Sequence, residues 1–96
     1  MLIELVEIKQ TNSGAYTLSP IFINSLSIVF LSENKSMRHK LQEGKLDLGL
    51  NQNFTSFTDV RLNHIQGYSS TITVVGDPGL IEQKIFTKSQ KQLLKG

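Results

Sequence analysis

The apolar positions fall into short runs rather than one long stripe. Over residues 2–10, Ile3 and Leu5 share one face of an extended strand, while Leu2, Val6 and Ile8 share the other. A strand apolar on parts of both faces belongs in a sheet that is covered twice. The cluster Thr11-Asn12-Ser13-Gly14 predicts a turn, with Gly14 able to take positive φ. A second strand is predicted over 16–23. Pro20 lies inside it without an N–H to give, which marks an edge or a break. After a short Asn24-Ser25 turn, residues 27–31 form a third strand with almost no polar alternation, so the first 32 residues predict a β-meander.

The pattern then changes. Ser36 is an N-cap candidate for a short helix over 37–43, Met37 and Leu41 give it a narrow apolar stripe, and Gly44 stands where a helix ends. Residues 45–53 carry Leu46, Leu48 and Leu50 around Gly49 and predict an irregular, partly packed loop. A fourth strand is predicted over 54–63, with Phe54, Thr58, Val60 and Leu62 on one face and Phe57, Asp59 and Arg61 on the other. A five-residue loop, 63–67, leads to a fifth strand over 68–75, with Tyr68, Ile72 and Val74 inward. Asp77 caps and Pro78 opens a last helix that runs to about Leu94 and buries Leu80, Ile81 and Ile85. The expected fold is a single α+β domain: about five mostly antiparallel strands, a short middle helix, and a C-terminal helix packed on the sheet.

Composition narrows the chemistry. With 96 residues the chain has room for one modest core and no second lobe. The absence of cysteine excludes disulfides, thiolate metal sites and a thiol nucleophile. No apolar run approaches the roughly 18 residues of a membrane span, and Glu4 sits where a signal peptide needs basic residues, so a cytoplasmic protein with no membrane partner is expected. His39 and His64 have no acidic or histidine neighbour at metal-ligand spacing, and the carboxylates and hydroxyls are scattered. Neither a metal, a cofactor nor a catalytic constellation is expected. The loop Gly76-Asp77-Pro78-Gly79 lacks dinucleotide and P-loop spacing, and Asp77 would repel a phosphate.

Charge is uneven along the chain. Residues 80–96 hold four lysines and one glutamate, net +3, whereas residues 1–79 hold six basic and seven acidic residues, net −1. Lys84, Lys88, Lys91 and Lys95, spaced by four, three and four, fall on one helical face. They form a rail for phosphates, with Arg38 and Lys40 as a second basic cluster, or an ordinary solvated face. Phe57 and Arg61 share a strand face opposite the apolar one, which predicts an exposed aromatic–arginine pair at a partner interface.

The segments 2–9, Ile21-Phe22-Ile23-Asn24, 57–63, Val74-Val75-Gly76-Asp77-Pro78 and 91–96 together resemble small accessory proteins of large tailed bacteriophages. That resemblance implies binding and modulating or inhibiting a host protein, without catalytic residues. Apolar strand faces that two helices cannot fully cover add the expectation of a homodimer or higher oligomer. The alternative reading is an RNA- or DNA-binding regulator that uses the lysine face.

Overall fold

The computed structural model describes residues 2–46, 48–51, 55–63 and 69–95, apart from the side chains of Ser69 and of 88–95. In chain order the elements are β1 (Leu2–Gln10), β2 (Tyr16–Asn24), a 3₁₀ turn (Ser25–Ser27), β3 (Ile28–Glu33), α1 (Lys35–Gln42), β4 (Phe57–Asn63), β5 (Ser69–Val75) and α2 (Pro78–Lys95). The five strands form an antiparallel sheet in the order β2-β1-β5-β4-β3. The α+β class, the strand number and both helices are as the hydrophobic pattern predicts. Tyr68, Phe54 and the 64–67 part of the predicted hairpin loop lie outside the described residues.

The meander is not what forms. β1 and β2 pair along all nine residues, from Leu2↔Asn24 to Gln10↔Tyr16, but β2 does not pair with β3; the two occupy opposite edges. Pro20 therefore sits in an edge strand, where its missing N–H breaks no ladder.

The connection between those edges shapes the molecule. Asn24 ends β2 and Ile28 begins β3, and four residues reach at most about 14 Å. Five strands side by side span about 19 Å from edge to edge. A flat sheet cannot satisfy both distances, so this one curls until its edges approach. The core records the curl: Ile21 and Ile23 of β2 pack in one cluster with Ile28 and Leu31 of β3, around Ile3, Leu5, Val60, Leu62 and Val74. Ile81 and Ile85 of α2 close this concave side.

The convex side holds a second cluster. There α1 and the leucine loop cover one end of the sheet, with Leu41, Leu46 and Met37 packed on Ile8 and Phe57 and flanked by Tyr16, Leu18, Leu48, Leu50 and Val75. Alternation separates the two sides cleanly. Thr58, Val60 and Leu62 of β4 face the concave core, and Phe57, Asp59 and Arg61 face the convex side.

Helix ends are tied by side chains. Asn34, not Ser36, caps α1: its Oδ1 accepts from the Met37 N–H at 2.9 Å. Its Nδ2 donates to Asp59 Oδ1 at 2.9 Å, and Thr73 Oγ1 donates to the same oxygen at 2.8 Å. A strand residue thus fixes the amide that starts the helix, which Ser36 has no means of matching. At the other end Lys45 N–H bonds the Lys40 carbonyl and Gly44 N–H the Leu41 carbonyl, with Gly44 at φ 76°, a Schellman stop. Asp77 caps α2 through the Leu80 N–H at 2.8 Å, as its position before Pro78 predicts.

The Asn34 arrangement yields a discriminating substitution. Asn34→Ala should cost about 1 kcal/mol, the usual loss of an N-cap. Asn34→Asp keeps a capping oxygen but sets a carboxylate against Asp59. It should cost roughly 2–3 kcal/mol at pH 7. Because the clash raises a folded carboxyl pKa above its unfolded value, the penalty should shrink below about pH 4. Urea denaturation of the three proteins at both pH values measures it; an Asn34→Asp variant as stable as wild type at pH 7 would refute the Asp59 contact.

Candidate functional site: the uncharged rim

The sequence-predicted residues separate in space. Phe57 is not on the surface. It is 0% exposed, because α1 and the leucine loop cover its end of the convex side. Alternation placed it correctly opposite Val60 and Leu62, but could not show that a second layer lies over that face. Arg61, on the same side, is half-buried and donates from Nη1 to Thr71 Oγ1 at 3.1 Å; its cross-strand neighbour on β3 is Phe30. The expected Phe57–Arg61 pair gives way to a Phe30–Arg61 pair.

The basic residues do not form one surface either. α1 lies on the convex side and α2 on the concave side, so Arg38 and Lys40 are separated from the lysine helix by the sheet. Arg38 pairs with Glu33 at 3.5 Å. Lys40 donates to the Tyr16 hydroxyl at 3.1 Å with its ammonium 5.6 Å from the Tyr16 ring centroid, pinning α1 to β2. Glu43 bridges His39 and Lys45, each at 2.8 Å, and the Lys45 ammonium bonded to it holds the Glu43 carboxyl below its ordinary range. Lys84 donates to the Glu4 carbonyl at 3.1 Å. The side chains of Lys88, Lys91 and Lys95 lie outside the described residues, as does His64. Among the described residues no group of three or more His, Asp or Glu could hold a metal, and no helix is long and apolar enough to cross a membrane.

What sequence reasoning missed is the corner that joins the sheet edges. Phe22 is 62% exposed, Leu26 84%, Val29 58% and Phe30 53%, all within nine residues of chain. Leu2, opposite Asn24, and Val6, opposite Pro20, extend the apolar surface across β1 beside Phe22. Asn24 Oδ1 accepts from Leu26 N–H at 3.0 Å and holds the 3₁₀ turn that thrusts Leu26 outward. The ladder slips between Ile28 and Phe30, and the bulge frees Val29 from the pairing that would have tucked it in.

A signal for this site does stand in the sequence. Residues 10–32 contain no Asp, Glu, Lys, Arg or His, although 19% of the chain is charged and about four charges would be expected in such a length. Both edge strands draw on this segment. Exposed edges of natural sheets usually carry charges that discourage pairing; here Pro20 and the β3 bulge are the devices present.

No protein-family model, curated protein or solved structure matches this chain.

The reassignment of Phe57 has a measurable consequence. Phe57→Ala removes a fully buried ring shared by β4, α1 and the leucine loop, and should cost about 3–5 kcal/mol in chemical denaturation. A loss under 1 kcal/mol would mean the ring is not enclosed.

Proposed function

We propose that this chain is a non-catalytic binding protein that works as a homo-oligomer, in the manner of phage accessory factors that bind and modulate or inhibit a host protein. The observation that carries the reading is the exposed, uncharged rim of Phe22, Leu26, Val29 and Phe30. Large exposed apolar side chains crowded into nine residues of chain mark an association site. Self-association fits a surface with few charges. A two-fold contact sets a surface patch against itself, so like charges near the axis repel; the rim side chains carry none, and the flanking Glu4, opposite Phe22, and Arg61, opposite Phe30, are of opposite sign. The class of host target rests on the resemblance of the chain to phage accessory proteins. The nucleic-acid alternative is weakened by the separation of the basic residues onto two sides of the sheet and by the structural engagement of Arg38 and Lys40.

Size-exclusion chromatography with light scattering tests the reading. The wild-type protein should run as a dimer or larger at micromolar concentration. Phe22→Glu and Phe30→Glu, both at exposed positions, should leave the fold intact and weaken association by at least tenfold each, the scale of burying one aromatic side chain. A monomeric wild type would overturn self-association. A high 260/280 nm absorbance ratio that collapses in about 1 M salt would instead move the function to nucleic acid and the lysine helix.

A further inference from the structure

The junction between the two halves of the sheet is narrow. β1 is bonded to β2 over nine residue pairs but meets β5 at the single pair Glu7↔Val74. β5 ends at Val75, and Gly76, at φ 116°, turns the chain into α2. Residues 2–6 of β1 therefore have a strand on one side and α2 on the other. The Glu4 carbonyl points away from β2, toward the helix, where it accepts from Lys84 Nζ at 3.1 Å.

Between this free strand edge and the helix lies a groove of about 620 Å³. Beneath it lie the buried Ile3, Leu5 and Ile81; Val75 and the exposed Leu80 give it apolar surface, and Glu4, Gln83, Lys84 and Thr87 its polar rim. Volumes of 300–1,000 Å³ with an apolar lining and few polar groups are typical of ligand sites. Lys84 pairs with no carboxylate among the described residues; its partner is a neutral carbonyl on the strand edge. The ammonium occupies the place that an N–H of a neighbouring strand would take.

We propose that the groove binds the C-terminal end of an extended peptide. The peptide would add as a strand to residues 2–6, place an apolar terminal side chain against Leu80 and Val75, and set its carboxylate on Lys84. Three features select this occupant together. A free strand edge supplies backbone pairing, Leu80 and Val75 accept a side chain of an extended chain, and an ammonium that forms no ion pair among the described residues matches a terminal carboxylate. The groove lies between residues 2–6 and α2, whereas Phe22 and Phe30 project from the convex side of the sheet edges, so variants can address this site and the self-association rim one at a time.

The test pans a library of random heptapeptides, displayed with free C-termini, against the full chain. Enrichment of sequences with an apolar last residue is expected. The most enriched peptide should bind at least tenfold more tightly as the acid than as its C-terminal amide. Lys84→Gln, at an exposed position, should erase that difference. Backbone amide shifts on binding should fall at 2–6 and 80–84. No enrichment over bare support, equal binding of acid and amide, an acid preference that survives Lys84→Gln, or shifts confined to residues 10–32 would each overturn the proposal. Phe22→Glu serves as the background in a second binding series. Unchanged affinity there separates a failure of the groove from a failure of self-association.

Discussion

The structure depends on a short connection between distant edges. A 3₁₀ turn of three residues links β2 to β3 at opposite ends of the strand order, and the reach of the backbone forbids a flat sheet. Curling converts a sheet of modest width into a concave surface that holds one apolar cluster from both edges. One helix, through Ile81 and Ile85, then suffices to close it. The same curl leaves the convex side too large for the eight residues of α1, so the leucine loop completes its cover and the rim beyond stays exposed.

The two sides are coupled through β4. Thr58 faces the concave core and donates to the Gly76 carbonyl at 2.7 Å, securing the turn from β5 into α2. The next residue, Asp59, faces the convex side and orients Asn34 and Thr73. Adjacent residues on one strand thus set the starting points of both helices. Thr58 is buried and the groups around Asp59 are half-buried, and no described buried side-chain nitrogen or oxygen lacks a partner.

Local chemistry was legible in the chain and its spatial sum was not. Asp77-Pro78 announces the start of α2, and Gly44 the end of α1, because caps depend on residues a turn apart. Strand alternation sorted Val60 and Leu62 from Phe57 and Arg61 correctly. The errors lie where distant segments decide. Asn34 outcompetes Ser36 as a cap because Asp59, 25 residues away, holds its amide. Phe57 is buried because the leucine loop returns over it. β3 pairs with β4 instead of β2, a pairing between segments distant in sequence that neither strand announces alone. The expected exposure of Phe57 fails for the same reason: its own strand does not show what else packs over that face.

The distribution of charge separates two surfaces. Residues 10–32 are uncharged and build the rim, and the positive excess is confined to the final helix. Had the basic residues of α1 and α2 met on one side, they would have formed a surface for a polyanion. The sheet divides them, and the side chains of α1 that could have joined are spent on Glu33 and Tyr16. The described side chains leave an apolar rim on the convex side and, between β1 and α2, a groove with the Lys84 ammonium at its edge. Each is suited to a chain segment more than to an extended phosphate backbone, because burial of apolar surface, with one fixed charge for orientation, favours short and specific contacts over long electrostatic ones.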